Sequence, residues 1–224
     1  MLDELSLPIE IDRAEIEMLC GRYQAVALYG SCARGDAKET SDIDLLVVDE
    51  SQHRFVGLPD RFSVTTYTPT HLRDMAHRGS LFVLHLREEA KILIDRAGII
   101  TSLVNEWIEP DYSRLREGMN AAASVLDAAS GSVPTPTLKR VSLFVLRSVL
   151  YAECAKRKAP SFAMPTVAIV LGDKRISEFF ERINATPERE IIELSRMLIR
   201  SYLGEPVEKR LGGLETLAVR WHHR

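Results

Sequence analysis

Between residues 28 and 48 the chain reads Leu28-Tyr29-Gly30-Ser31-Cys32-Ala33-Arg34-Gly35 and then Ser41-Asp42-Ile43-Asp44-Leu45-Leu46-Val47-Val48. Asp42 and Asp44 are two residues apart at the head of an apolar run. Side chains alternate along a strand, so this spacing puts both carboxylates on one face and Ile43, Leu45 and Val47 on the other, where they supply core. Two neighbouring carboxylates repel each other and cost stability unless a cation neutralises them. Magnesium takes oxygen ligands and substrate phosphates, so it is the expected cofactor, held by Asp42 and Asp44. Two such ions would align an attacking oxygen with a pyrophosphate leaving group.

Gly30 allows a sharp turn and a close approach of backbone to ligand. Ser31 stands where a helix is expected to open. Its hydroxyl and the free amides of the first turn suit the terminal phosphates of a nucleotide. Arg34 lies about one helical turn further on and either meets a phosphate bidentately or pairs with Asp36 or Glu39. Ser41 is expected to shape the turn into the metal strand, with nucleotide contact as its functional alternative. Gly30, Ser31, Arg34 and Ser41 are thus the expected nucleotide-binding set. An Asp-x-Asp pair or a Gly-Ser turn alone says little. The ordered combination of strand, Gly-Ser, Arg-Gly, spacer and Ser-Asp-x-Asp leading into a β-branched run is specific.

The elements that must position these residues are legible in outline. The pattern predicts a helix over 13–21 ended by Gly21, and strands over 25–29, 43–48, 62–68 and 91–95. Pro69 suits the first turn of a helix to about His77, and Ser80 can cap another through about Glu89. Past residue 98 nearly everything reads as helix: 98–107, 112–129, a long helix over 138–158, and three or four shorter ones to about Val219. Gly131 to Pro136 reads as a linker, and Pro165, Gly172, Pro187, Gly204 and Gly212-Gly213 as breaks. The expected fold is α/β (α+β), with a small mixed-sheet domain over 1–109 followed by an all-α helical bundle over 110–224.

Bulk composition narrows the class. The net charge is −3, which argues against a long nucleic acid as partner. Three cysteines without a C-x-x-C pair argue against a disulfide framework or zinc site and fit a reducing cytoplasm. Met1 to Ile9 carries two acids and no base, unlike a signal peptide, and no apolar run approaches membrane-helix length. Trp221-His222-His223-Arg224 reads as a solvated chain end.

The stretch from about residue 10 to 95 resembles the nucleotidyltransferase superfamily that includes DNA polymerase beta, kanamycin nucleotidyltransferase and the minimal nucleotidyltransferases. The resemblance implies that Gly30 and Ser31 hold nucleotide phosphates and that Asp42 and Asp44 hold metal. It also implies a third carboxylate on a following strand, as general base or metal ligand. Here that strand is Phe62-Ser63-Val64-Thr65-Thr66-Tyr67-Thr68, which has no acid; Ser63 or Thr65 takes the expected place. A hydroxyl is a poor substitute for an anionic ligand. Asp60, at the strand's start, is the preferred replacement, with Glu88 or Glu89 as alternatives, so Asp42, Asp44 and Asp60 form the expected catalytic set. The helical half resembles in layout the bundle of kanamycin nucleotidyltransferase and of HEPN-type proteins. At the four-residue spacing of the HEPN ribonuclease motif, none of the six histidines follows an arginine.

His85 lies in an apolar helix and is expected to be a packed core residue, with acceptor contact as the alternative. Arg147 interrupts an apolar face and, if buried, needs a partner: an acid from a neighbouring helix is expected, with a nucleotide phosphate as the alternative. The expected reaction is transfer of a nucleoside monophosphate from an NTP, ATP foremost, to an acceptor hydroxyl on a small molecule or protein. The alternative is a nucleotide-binding or partner-binding protein, such as an antitoxin or defence-system subunit, on a degraded site. A homodimer is compatible with either.

Overall fold

The computed structural model describes residues 13–39, 41–50, 58–129 and 133–204. The expected helices beyond Gly204, the tail Trp221–Arg224, Gly131, Ser132 and Met1–Ile9 lie outside the described residues. The chain divides into two compact units, Met1–Pro110 and Asp111–Arg224.

The first unit runs α1 (Arg13–Arg22), β1 (Ala25–Tyr29), α2 (Gly30–Arg34), β2 (Ile43–Val48), β3 (Phe62–Tyr67), α3 (Pro69–His77), α4 (Leu81–Glu89), β4 (Lys91–Asp95) and α5 (Ile99–Asn105). The four strands form one mixed sheet in the order β3-β2-β1-β4. β1 is antiparallel to both β2 and β4, whereas β2 and β3 are parallel. The antiparallel β1–β2 pair brings the end of β1 beside the start of β2, with Tyr29 opposite Asp44.

The two central strands are buried on both faces. Val26, Leu28, Ile43, Leu45 and Val47 pack with Ile16 and Leu19 of α1. Ala25, Ala27, Leu46 and Val48 pack with Leu72, Met75, Val83, Ile100 and Leu103 from α3, α4 and α5. The apolar run in β2 is therefore continuous because both of its faces are core, as in strands covered on two sides. Asp44 shares its face with Leu46 and Val48 and stays half-buried at the strand's head, while Asp42 lies one residue ahead of the strand and is exposed.

Local chemistry sets the helix boundaries. Pro69 occupies the first turn of α3, where its missing N–H costs nothing, and Thr68 Oγ1 accepts from the His71 amide at 3.1 Å. Ser80 caps α4 by accepting from the Phe82 amide at 3.2 Å. Gly21 does not end α1, which runs on to Arg22. α5 closes before Trp107, whose indole N–H donates to the Ser80 carbonyl at 2.9 Å.

The second unit is helical: α6 (Tyr112–Ala128), α7 (Thr135–Lys156), α8 (Met164–Leu171), α9 (Lys174–Arg182) and α10 (Glu188–Leu203). α6 and α10 pack on α7, which buries Leu138, Val145, Leu146, Val149 and Leu150. α7 opens three residues earlier than its apolar pattern, because Pro136 is accepted in the first turn. Pro165 likewise sits in the first turn of α8 and starts that helix where a break is expected. Arg147 is exposed and lies 5.6 Å from the Phe180 ring centroid, so it needs no buried acid. Phe144, read as part of the apolar face, is 52% exposed.

Candidate functional site

β1 ends at Tyr29, and the chain turns directly into α2 through Gly30, whose φ is +71°. A Cβ on Gly30 would lie 2.5 Å from Asp44 Oδ2, closer than real atoms pack. The carboxylate of Asp44 thus fills the space that any other residue at position 30 would occupy. Cys32 Sγ donates to the Asp42 carbonyl at 3.4 Å and ties α2 to the head of β2. Gly30, Ser31, Asp42 and Asp44 are in this way brought to one corner of the sheet. α2 is five residues long, its N-cap Tyr29 makes no side-chain cap, and Gly35 (φ +83°) closes it by donating to the Ser31 carbonyl at 3.0 Å.

Two register neighbours flank Asp44: Tyr29 on β1 and Ser63 on β3. Tyr29 shares a hydrogen bond with Thr65 Oγ1 at 3.2 Å. Burial pushes the Tyr29 phenol up to about 12, so it stays protonated and neutral at pH 7. Burial also raises the Cys32 thiol, with the charge of Asp44 acting the same way, which makes Cys32 a poor nucleophile.

Arg34 is held by carboxylates on both sides. Its Nε lies 3.2 Å from Asp36 Oδ2 and its Nη1 2.8 Å from Glu89 Oε2. Glu89 also meets His85 Nε2 at 3.1 Å, and the His85 ring packs edge-on against Tyr29 with centroids 5.7 Å apart. Burial alone would raise the Glu89 carboxyl, but hydrogen bonds from His85 and Arg34 outweigh it and hold the group below its ordinary value. Of the two partners expected for Arg34, Asp36 is present, and Glu89 joins from 55 positions away. Glu88 is exposed beside Arg87.

Ser41 shapes its turn: Oγ accepts from the Lys38 amide at 2.9 Å, and its own amide donates back to the Lys38 carbonyl at 2.9 Å. Asp60 is exposed in the turn ahead of β3. Among the described residues no group of three or more His, Cys, Asp or Glu side chains is placed to hold a metal ion, so Asp60 does not join Asp42 and Asp44 in one. The Arg61 carbonyl accepts from the Ile43 amide at 2.8 Å. That bond fixes Arg61 beside the Asp42–Asp44 segment. Its signal in the sequence is only that of a basic residue just ahead of a strand.

Residues 17–99 match the family model of the nucleotidyltransferase domain. Among solved structures, the chain is similar to a nucleotidyltransferase-like protein from Exiguobacterium sibiricum 255-15, at 13% identity and a TM-score of 0.33, over 87% of this chain and 73% of that one. The comparison with curated proteins found no match.

Proposed function

With residues 17–99 matched to a nucleotidyltransferase domain, we propose that the chain is a magnesium-dependent enzyme that transfers a nucleoside monophosphate from an NTP, ATP foremost, to an acceptor hydroxyl of a small molecule or protein. The observation that carries this reading is that the Asp44 carboxylate fills the space a Cβ on Gly30 would take, which joins a metal-type acid to a phosphate-type turn. The donor set fits magnesium: two carboxylates supply hard oxygen ligands, and the ion commonly takes its remaining ligands from water and substrate phosphates. Asp42 and Asp44 would hold it, and the bound ion would neutralise charge on the phosphates as pyrophosphate leaves.

The chain's own part is positioning. Gly30 keeps a side chain out of the space before Asp44, and Ser31 presents its hydroxyl at the opening of α2. The pair Arg34–Glu89 fixes α2 against α4, so in this reading Arg34 holds the turn in place and Asp36 shares its charge. Ser41 sets the approach to Asp42. The acceptor oxygen forms its bond to the α-phosphorus as the bond to the bridging oxygen of pyrophosphate breaks and the hydroxyl proton passes to water, a displacement governed by alignment and charge more than by covalent catalysis.

A second reading, nucleotide binding without turnover in a sensing or partner-binding protein, is favoured by one observation: Asp44 is flanked by Tyr29 and Ser63, not by an acid. Incubation with labelled ATP, GTP, CTP and UTP plus magnesium separates the two. Pyrophosphate release or label transfer that disappears in Asp42→Ala supports the enzyme. Tight NTP binding with no product supports the sensor, and no binding of any NTP sinks both.

A further inference from the structure

The residue expected to meet phosphate from its sequence position, Arg34, has its guanidinium occupied by Asp36 and Glu89. A second arginine lies at the same corner. Arg61 immediately precedes β3, and the Ile43 amide donates to its carbonyl at 2.8 Å. Because β2 and β3 run parallel with Ile43 opposite Phe62 and Asp44 opposite Ser63, Asp42 and Arg61 each stand one residue ahead of these paired strands. Its Nη2 is buried and has no hydrogen-bond partner among the described residues.

A buried guanidinium donor left unmatched is costly unless an anion arrives to use it. Arginine offers a planar fork suited to phosphate oxygens, and a phosphate chain already bridging to a cation at Asp42 and Asp44 would lie within the same corner. We propose that Arg61 is a positioning residue for the β,γ-phosphates of the nucleotide, retaining them as the pyrophosphate leaving group, in the place that Arg34 gives up to Glu89. This inference rests on the nucleotidyltransferase reading above.

The test measures binding of magnesium-ATP and magnesium-pyrophosphate to the full chain and to Arg61→Met, Arg61→Ala and Arg61→Lys, with melting of each protein free of nucleotide. We expect both Met and Ala variants to bind either probe roughly ten- to a hundred-fold more weakly, as for loss of one charge-assisted contact. Arg61→Lys should recover part of that loss. The unliganded melting temperature of Arg61→Met should stay level or rise, since a buried unmatched donor is removed. Unchanged affinity in Arg61→Met while the wild type binds overturns this inference and leaves the nucleotidyltransferase reading standing. A fall in melting temperature that tracks the loss of binding, with no recovery in Arg61→Lys, also overturns it, in favour of a structural role. Absence of NTP binding by the wild type removes both readings together.

Discussion

Asp44 Oδ2 stands 2.5 Å from the position a Cβ would take on Gly30. This single relationship couples the turn at the end of β1 to the head of β2, and it makes the glycine a requirement twice over. The backbone at Gly30 is left-handed (φ +71°), and the space before it is filled by a carboxylate. Gly35 is a natural comparison, because it is also left-handed (φ +83°) but has nothing within 4 Å of its would-be Cβ. Gly35→Ala should cost about 1–2 kcal/mol from backbone conformation alone. Gly30→Ala should cost about 1–3 kcal/mol more from overpacking, and should weaken magnesium-ATP binding because Asp44 must move. Chemical denaturation of the two variants checks the difference; equal losses would mean that the contact does not constrain the site.

The Arg34–Glu89–His85 chain predicts a pH dependence. Glu89 is held below its ordinary value in the folded protein. Its contribution is therefore present above the unfolded carboxyl value of about 4.3 and is lost as pH falls through the lower folded value. Glu89→Gln should be destabilised by about 1–3 kcal/mol at pH 7, and the gap to wild type should narrow below about pH 4. Urea titrations at pH 7 and at low pH measure it. A gap that is constant with pH would show that the charge on Glu89 contributes nothing.

Much of this arrangement was legible in the sequence, for reasons specific to each residue. The β-branched runs at 43–48 and 91–95, Pro69 at a helix start and Ser80 as a cap each depend on local chemistry, and each element appears where that chemistry puts it. The pairing of Arg34 with Glu89 was not legible, because it depends on α4 returning beside α2 from 55 residues away. The double-sided burial of β2 was only half visible: Ile43, Leu45 and Val47 announced one core face, but the cover over Leu46 and Val48 comes from α3, α4 and α5. Gly21 misled because a glycine tolerated within a last helical turn looks the same in sequence as one that ends it. The unmatched Nη2 of Arg61 could not be read at all, since the partners of a buried donor are a property of the fold.

In the helical unit, Asp173 caps α9 by accepting from the Arg175 amide at 3.1 Å, and its carboxylate also meets the Arg175 guanidinium and the Tyr202 hydroxyl. The bond to Arg175 leads in holding the carboxyl at about 2; burial opposes it, and Tyr202 assists. Asp173→Ala should lower stability by about 0.5–2 kcal/mol, as for loss of an N-cap. The wild-type advantage should be complete above about pH 4 and fade as pH falls through about 2. Thermal melts of both proteins at pH 7 and pH 2.5 test the sign; an advantage that grows in acid would contradict it.

The cysteines give a check on the corner without nucleotide. Cys32 and Cys154 are buried and burial raises both thiols, Cys154 to about 11, whereas Cys20 is half-buried. Alkylation of the native protein at pH 7.5 should label Cys20 first and reach Cys32 and Cys154 only on unfolding. Mass spectrometry of the labelled peptides reads the order. Rapid native labelling of Cys32 would mean that α2 does not stay docked on Asp42.

In the proposed function, the Gly30 turn and the Asp42–Asp44 pair form one nucleotide–metal site. Its most direct test is equilibrium binding of ATP with magnesium, and with EDTA in its place, to wild type and Asp44→Asn. Binding by wild type should require magnesium and fall at least roughly ten-fold in Asp44→Asn, where the carboxylate becomes a neutral amide of nearly the same shape. Equal affinity in wild type and Asp44→Asn, or binding that is indifferent to magnesium, would contradict it.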